Sequence, residues 1–462
     1  MEIKIGLEIH VELKTKSKMF CSCKNEYGGE PNTRICPVCL GEPGTLPSPN
    51  EEAIKKSILL CLALNSEINK VSIFTRKNYF YPDLPKGYQI TQYKASIGEG
   101  GYLEIDNKKI LIDRVNIEEE TAKSIYTEKG EVLLDFNRCG IPLLEIVTKP
   151  FISSISEALT FLKELRKLLR YLDISECDME KGMYRVDSNI SIPPNERVEL
   201  KNLNSLKAFQ EALSYEIERQ KEILKRGEKI KRETRLWDEF KKETRIMRIK
   251  EEELDYRYFP EPDLPPLEID KETIEELKRK LPELPYNKKI RFIKEYSLNE
   301  KEAEILTSEK ELSEFFEETL KNYYNPKEVA NWILTEILAY TEPENIKEIQ
   351  ITPFELSVLI KNVCENELPR NIGKEILKRK VERKEDIFKM IEEEKKKIIK
   401  EEGLIEEIVK EVLEENKEAV LKYKSGKEGI IGFLIGETMK KLKGKGNPKE
   451  IRELLLKNIK DY

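Results

Sequence analysis

The strictest constraint in this sequence is an alternation that runs through residues 3–13. The odd positions are apolar and the even positions are polar or glycine. A period of two is typical of a β-strand buried on one face, and it places Glu8, His10 and Glu12 together on the other face. His10 is the only histidine among 462 residues. Taken alone, the strand favours an ordinary solvated sheet surface over a metal or phosphate site.

Length and charge limit the class of protein. A chain of 462 residues is typical of about three domains. The net charge is −6, so any contact with nucleic acid must come from a local basic patch. The amino terminus is charged, and the longest apolar run, 57–64, is too short to span a bilayer. We therefore expect a cytoplasmic protein without a membrane segment.

Four of the eight cysteines form two close pairs, Cys21 with Cys23 and Cys36 with Cys39. Both pairs lie among glycines and prolines, which indicates loops. In a reducing compartment such pairs bind metal more often than they form disulfides, and four thiolates can close a tetrahedral zinc site. The loops at 21–39 are therefore predicted to hold a structural zinc ion, with free thiols as the alternative. A catalytic zinc is disfavoured because four cysteine ligands leave no open position.

Two carboxylates, Asp135 and Glu145, stand in the strongly apolar stretch 132–146. Burial of a carboxylate is costly unless it is paired or bound to a metal. Arg138 could pair with one of them, and a hard cation such as Mg²⁺ could hold the other.

Two further stretches have unusual composition. Residues 76–90 mix basic side chains, aromatic rings and prolines, which predicts a rigid loop that either contacts bases and phosphates or packs as a connection. Residues 98–101 contain three glycines and precede a strand-like segment. No Lys-Ser or Lys-Thr follows, so a hairpin turn is predicted there rather than a phosphate-binding loop.

The character of the sequence changes near 281–286, after which short amphipathic helices are predicted. The segment 426–462 is locally basic, with lysines at Lys440, Lys441, Lys443, Lys445 and Lys449. Such a segment can bind a phosphate backbone or form a solvated lysine face.

Several enzyme classes are excluded because the chain has no P-loop, no GxGxxG after a strand and no GxSxG. A serine or cysteine nucleophile would have to recruit His10. What remains is a carboxylate-rich site with one histidine, built from several strands. Such a site suits Mg²⁺-assisted phosphoryl transfer, although an imidazole ligand equally suits Mn²⁺ or Zn²⁺.

Long motifs along essentially the whole chain resemble the B subunits of the tRNA-dependent amidotransferases, the GatB family. The motifs are Ile5-Gly-Leu-Glu-Ile-His-Val-Glu-Leu, Cys36-Pro-Val-Cys-Leu-Gly, Arg76-Lys-Asn-Tyr-Phe-Tyr-Pro-Asp-Leu-Pro-Lys-Gly-Tyr-Gln, Leu134-Asp-Phe-Asn-Arg-Cys-Gly-Ile-Pro-Leu-Leu-Glu, Glu233-Thr-Arg-Leu-Trp-Asp, Asp255-Tyr-Arg-Tyr-Phe-Pro-Glu-Pro-Asp-Leu and Gly432-Phe-Leu-Ile-Gly-Glu-Thr-Met-Lys.

The resemblance implies an α+β protein. A β-rich, cradle-like catalytic domain over 1–288 is followed by an all-α domain over 289–400 and a small helical tail over 401–462 that touches tRNA. The implied reaction uses ATP to phosphorylate the side-chain carboxylate of Glu-tRNA(Gln) or Asp-tRNA(Asn), and ammonia then displaces the phosphate. Ammonia is expected from an amidase A subunit, in a heterotrimer with a small C subunit.

The resemblance also implies site residues. Glu8, His10, Glu118 and Glu145 are the expected catalytic and Mg²⁺-binding residues, with Glu119 and Asp187 as neighbouring metal ligands. The family commonly has His-x-Glu-Glu-Asp-Ala-Gly-Lys where this chain has Asn-Ile-Glu-Glu-Glu-Thr-Ala-Lys over 116–123. That departure leaves open which carboxylate of the trio 118–120 binds metal. The five basic-segment lysines are the expected tRNA contacts.

A rival interpretation from another class is a non-catalytic, zinc-containing scaffold that binds tRNA. It accounts for the cysteines and the basic segment. It does not account for His10 flanked by carboxylates or for the expected burial of Asp135 and Glu145.

Overall fold

The computed structural model describes residues 2–106, 108–249, 256–397, 402–424, 427, 429–442, 446 and 448–461. The chain divides into two compact units, 1–286 and 287–462. The first is rich in strands and the second is helical, so the predicted α+β class is confirmed.

The first unit is built on a large mixed sheet in which the alternating amino-terminal run is a central strand. Its strands are β1 (Lys4–Glu12), β2 (Glu67–Ile68), β3 (Val71–Ser72), β4 (Phe74–Asn78), β5 (Tyr88–Gln92), β6 (Gly98–Glu99), β7 (Tyr102–Ile105), β8 (Lys108–Glu119), β9 (Lys123–Tyr126), β10 (Val132–Asp135), β11 (Pro142–Thr148), β12 (Tyr184–Ser191), β13 (Val198–Lys201), β14 (Glu233–Asp238), β15 (Glu243–Ile249), β16 (Phe259–Pro260) and β17 (Leu267–Glu268). The large sheet has the order β15-β14-β13-β12-β1-β11-β8-β6-β2, and β7 also pairs with β8. Smaller sheets are formed by β9 with β10, by β16, β4 and β5, and by β17 with β3.

Helices cover one face of the large sheet. The helices of this unit are α1 (Pro37–Leu40), α2 (Glu51–Ala63), α3 (Ile155–Tyr171), α4 (Leu206–Lys225) and α5 (Lys271–Lys280). Ile5, Leu7 and Ile9 of β1 are almost fully buried in one apolar core that also contains residues of α3 and α4. The hydrophobic effect of this burial fixes which face of β1 points inward. The opposite face of β1 carries its polar side chains and is available for a functional site.

Helix ends in this unit follow the expected capping rules. Ser154 accepts a hydrogen bond from the Glu157 N–H at 3.1 Å, and Ser205 accepts one from the Ala208 N–H at 3.0 Å. Each bond satisfies a backbone donor that would otherwise lack a partner at the first turn.

The second unit contains helices α6 (Pro285–Tyr296, which begins at the unit boundary), α7 (Glu300–Leu306), α8 (Lys310–Asn322), α9 (Pro326–Trp332), α10 (Pro353–Cys364), α11 (Arg370–Arg383), α12 (Ile387–Lys397), α13 (Glu402–Glu415), α14 (Lys417–Lys424), α15 (Ile430–Lys441) and α16 (Pro448–Asp461). The described residues of this unit form two hydrophobic cores. One is drawn from residues 292–391 and the other from 405–459. The predicted boundary at 400 and 401 lies outside the described residues.

Three local predictions were wrong. Residues 76–78 belong to β4 and 88–90 to β5, so only 79–87 form the predicted irregular loop. The glycines at 98–101 do not close a hairpin, because β6 and β7 both pair with β8. Asp135 is half-buried rather than buried. It lies at a turn, where the backbone N–H groups of Asn32 and Asn137 donate hydrogen bonds to its carboxylate.

Within the described ranges, no helix combines the length and apolar character needed to cross a membrane.

Candidate functional site

The polar face of the large sheet carries a row of four side chains at its centre. His10 on β1 lies opposite Glu145 on β11 and opposite Arg185 on β12, and Glu145 in turn lies opposite Asn116 on β8. Directly paired residues in neighbouring antiparallel strands share a face, so the strand register alone brings these side chains together.

Glu8, two residues before His10 on β1, converges with His10 and Glu145 of this row. Each of them offers one ligand atom, and these atoms all lie within 4.8 Å of one another. His10 Nε2 is 3.8 Å from Glu8 Oε1. Two carboxylates and an imidazole at this spacing, on rigid strands, form a donor set that fits a divalent cation.

Glu118 borders the same group. Its Oε2 lies 3.8 Å from His10 Nε2, and its side chain is 5 % exposed. The Thr91 hydroxyl and the Gln89 side-chain amide both donate hydrogen bonds to its carboxylate. These donors hold the Glu118 carboxylate in place.

Negative charge accumulates at this point of the sheet. Burial raises the pKa of Glu145 to about 7, and repulsion from Glu118 and Glu8 adds to that rise. His10 and Arg114 oppose it, and the Arg114 guanidinium is 3.8 Å from the Glu145 carboxylate. A bound cation would relieve this repulsion and favour the ionised carboxylate.

Glu119 and Asp187, the two neighbouring ligands expected from the resemblance, differ in where they lie. Glu119 lies one residue from Glu118 on β8, so its side chain points to the other side of the strand, where it pairs with Lys86 and accepts the Ile90 N–H at 2.9 Å. Asp187 lies opposite Glu8 and pairs with Lys201. The structure therefore brings Glu8, His10, Glu118 and Glu145 together, places Asp187 beside Glu8 on the same face, and directs Glu119 to the other side of β8.

The third carboxylate of the acidic trio, Glu120, is buried and forms ion pairs with two partly exposed arginines. Glu120 accepts two hydrogen bonds from Arg185, at 2.7 and 2.8 Å, and lies 3.3 Å from Arg138. Burial works against its ionised form, but both guanidinium groups lower the pKa of Glu120 below its usual value. Arg138 therefore pairs with Glu120 and not with Asp135 or Glu145, the two partners that the sequence suggests.

Lys77 on β4 also lies beside the site, within the basic and aromatic stretch 76–90 that the sequence analysis singled out as a possible phosphate contact. Although burial disfavours its charge, the Glu118 carboxylate raises the pKa of Lys77. Its ammonium lies 5.0 Å from the centre of the Tyr256 ring. Alternation along β4 could have placed Lys77 on a defined face, but the pairing of β4 with β5 was not predicted.

A cavity of about 1050 Å³ opens beside the same face. It is lined in part by Glu12, Arg185, Asp187 and Lys201. Because Arg185 and Asp187 lie opposite His10 and Glu8, the cavity reaches the row of site residues. Its volume is that of a typical small-molecule site.

The four loop cysteines converge at a second site. The sulfur atoms of Cys21, Cys23, Cys36 and Cys39 all lie within 4.8 Å of one another. Cys36 donates its backbone N–H to Cys39 Sγ at 3.2 Å, at the start of the short helix α1. The donor set and spacing fit tetrahedral coordination of zinc by four thiolates.

Lys18 supplies positive charge at this cluster. Its side chain is fully buried, and its ammonium donates to the carbonyl groups of Arg34 and Phe136 and contacts Cys39 Sγ at 3.7 Å. The hydrogen bond with Cys21, together with Lys18, lowers the pKa of Cys39 to about 5 despite burial. A buried cation is the expected companion of a centre with four thiolates and a divalent ion, which carries net negative charge.

The lysines of the basic segment lie in different surroundings. Lys440 is exposed at the end of α15, 3.8 Å from Glu437. Lys441 pairs with Glu411 and Glu415 at 2.9 and 2.7 Å. Lys449 is at the start of α16, and the predicted contacts Lys443 and Lys445 lie outside the described residues.

Two family models match the sequence. The model of the GatB/GatE catalytic domain matches residues 3–275, and the model of the GatB domain matches residues 314–459. The first therefore contains both sites described above.

Similar proteins come from several thermophilic bacteria. Each is named as the B subunit of an aspartyl/glutamyl-tRNA(Asn/Gln) amidotransferase. The chain is 48% identical to that of Thermotoga petrophila over 98% of both chains, and 47% identical to that of Thermosipho melanesiensis over 99% of both. It is 45% identical to that of Thermodesulfovibrio yellowstonii over 100% of this chain and 99% of the other.

Proposed function

The chain belongs to the GatB family, and from that membership we propose that it activates and amidates the side-chain carboxylate of misacylated Glu-tRNA(Gln) or Asp-tRNA(Asn). It is an amidotransferase component of translation, a ligase that forms a C–N bond. The alternative of a non-catalytic tRNA-binding scaffold is not favoured.

The observation that carries the proposal is the convergence of Glu8, His10 and Glu145 next to Glu118. We propose that these residues hold a Mg²⁺ ion used with ATP. Bound there, Mg²⁺ would neutralise charge on the phosphoryl group in transfer. The fit rests on the ligand types, their spacing and the mutual repulsion that raises the pKa of Glu145.

The proposed reaction has two steps. A carboxylate oxygen of the aminoacyl side chain takes the γ-phosphoryl group of ATP, and ADP leaves. The nitrogen of ammonia then attacks the acyl carbon, the bond to the phosphate oxygen breaks, and an amide and inorganic phosphate are formed. Lys77 and Arg114 place positive charge beside the carboxylates, where anionic phosphates would have to approach.

An amidation assay with ATP, Mg²⁺, misacylated tRNA and the proposed A and C partner subunits tests this function. We expect His10→Ala and Glu145→Gln each to lower the amidation rate by about 10²-fold or more, because each removes a proposed ligand of the ion. Glu67→Gln, which changes an exposed carboxylate on β2, is the matched control and should keep the wild-type rate. Full amidation by both site variants would refute the metal-site proposal.

For the four-cysteine cluster we propose one structural Zn²⁺ ion held by Cys21, Cys23, Cys36 and Cys39. Elemental analysis should find about one zinc per chain, since the set closes a single tetrahedral site. A chain purified without any bound metal that keeps its unfolding midpoint on addition of zinc would argue against the proposal.

The assembly and location are also proposals. Membership in a family of B subunits implies partner subunits and a tRNA substrate. The ammonia donor is proposed to be an amidase A subunit, in a heterotrimer with a small C subunit. The translation role of the family fits a cytoplasmic location.

A further inference from the structure

The polar row on the large sheet ends in a residue that the proposed metal set does not use. Asn116 lies on β8 directly opposite Glu145 and is 3 % exposed. Its Nδ2 donates a hydrogen bond to Glu145 Oε2 at 2.7 Å. One oxygen of the Glu145 carboxylate is thereby held, because its donor is fixed on the neighbouring strand.

The other end of the same amide is unsatisfied. Asn116 Oδ1 is buried and finds no hydrogen-bond partner among the described residues. A buried polar atom without a partner costs about 1–3 kcal/mol, so such atoms usually face a ligand, an ion or an ordered water. Turning the amide over would not help, since it would set two oxygen acceptors 2.7 Å apart whenever Glu145 is ionised.

We propose that Asn116 is a positioning residue of the cation site. Its Nδ2 orients Glu145, and its Oδ1 supplies a neutral oxygen to the coordination shell of the bound cation, either directly or through a water held by the ion. This inference rests on the proposed metal site. It adds a second residue of β8, beside Glu118, to that site and gives the unpaired Asn116 oxygen a partner.

The charge balance supports a neutral oxygen at this position. Three carboxylates, from Glu8, Glu118 and Glu145, already surround His10. A fourth carboxylate would add repulsion, whereas an amide oxygen adds a hard ligand without charge. Groups that hold a metal ligand in place commonly contribute ten- to hundredfold to metal affinity.

Mn²⁺ binding to the full chain tests the inference without any turnover. The binding is measured from the decrease in the electron paramagnetic resonance signal of the free ion. Asn116→Leu removes both the donor and the oxygen and should weaken Mn²⁺ binding by roughly ten- to hundredfold. Asn116→His can donate through one ring nitrogen and accept through the other. It should keep the affinity within about threefold and favour Mn²⁺ or Zn²⁺ over Mg²⁺, since imidazole is a softer ligand.

Asn189→Leu is the matched control, because Asn189 lies on the same polar face of β12 but outside the cation group. It should bind Mn²⁺ like the wild type. If Asn116→Leu does not fold, Asn116→Ala removes the same two functions in a smaller side chain, and the same weakening is expected.

The outcomes separate this inference from the function on which it rests. If the wild type binds Mn²⁺ and His10→Ala abolishes that binding, the metal site stands. Unchanged affinity in Asn116→Leu or Asn116→Ala would then overturn the role of Asn116 alone. Absence of Mn²⁺ binding in the wild type would overturn both.

Discussion

At the scale of single residues, the strand register decides which carboxylates can act together. Alternation along β1 predicts that Glu8 and His10 share a face, and the structure agrees. Local sequence does not give the register between strands that are distant in the chain, so it could not place Glu145 opposite His10 or pair Arg138 with Glu120. The apolar stretch 132–146 singles out Glu145 as a possible Mg²⁺ ligand, whereas Glu118 comes from the family resemblance alone.

A single carboxylate in the helical unit gives a prediction for the dependence of stability on pH. Glu355 closes the capping box at the start of α10 and pairs with Lys380 at 2.7 Å. Burial opposes its charge, but the Lys380 and Thr352 contacts lower the pKa of Glu355. A lowered carboxylate pKa stabilises the fold above the unfolded-state value, and that contribution is lost as the pH falls through the folded-state value.

We therefore expect Glu355→Gln to lower the free energy of unfolding by about 0.5–1 kcal/mol at pH 7. The difference from wild type should be smaller at pH 3 than at pH 7, because the wild-type carboxyl approaches its neutral form as the pH falls toward its folded-state pKa. Urea unfolding at both pH values measures it, and Glu318→Gln, at an exposed position of α8, should show no such trend. An equal deficit at both pH values would contradict the assignment.

At the scale of elements, a glycine turn joins β6 to β7 and is hydrogen-bonded to the middle of β8. Gly100 and Gly101 have φ values of +63° and +92°. A Cβ on Gly101 would lie 2.5 Å from the carbonyl oxygen of Leu64, whereas a Cβ on Gly100 would meet nothing within 4 Å. Composition predicts a turn here. It does not reveal that both flanking strands pair with β8, because that pairing depends on distant residues.

The two glycines form a matched pair for mutation. Gly101→Ala should lower the free energy of unfolding by about 3 kcal/mol, since it combines strained backbone with a clash against backbone atoms. Gly100→Ala should cost about 1 kcal/mol, because its strain is that of the left-handed region alone. Thermal unfolding of the two variants measures the difference, and equal losses would show that the clash is relieved by a local shift.

At the scale of the whole molecule, charge is distributed unevenly. The chain carries a net charge of −6, yet its last helices present a concentration of lysines. In the structure these lysines differ in how closely carboxylates surround them, which composition does not reveal. Lys441 is neutralised by two glutamates at 2.9 and 2.7 Å, while Lys440 has its nearest carboxylate at 3.8 Å. The proposed tRNA contact should therefore depend more on Lys440 than on Lys441.

Substitution of each lysine by glutamine tests this distribution. Lys440→Gln should weaken tRNA binding roughly threefold and reduce the slope of log affinity against log salt by about one, as expected for one lost phosphate contact. Lys441→Gln should change the slope less, because its charge is already compensated within the helices. Filter binding over a range of salt concentrations measures both, and identical slopes in all three proteins would exclude a contact at Lys440.

The central position of β1 also bears on biosynthesis. Its two neighbours, β11 and β12, begin at Pro142 and Tyr184, so both follow it by more than a hundred residues. A ribosome makes a strand with Ile5, Leu7 and Ile9 on one side long before it makes either partner. Nascent chains of this protein therefore expose an unpaired apolar strand during much of their synthesis, which makes this strand a natural client segment for cotranslational chaperones.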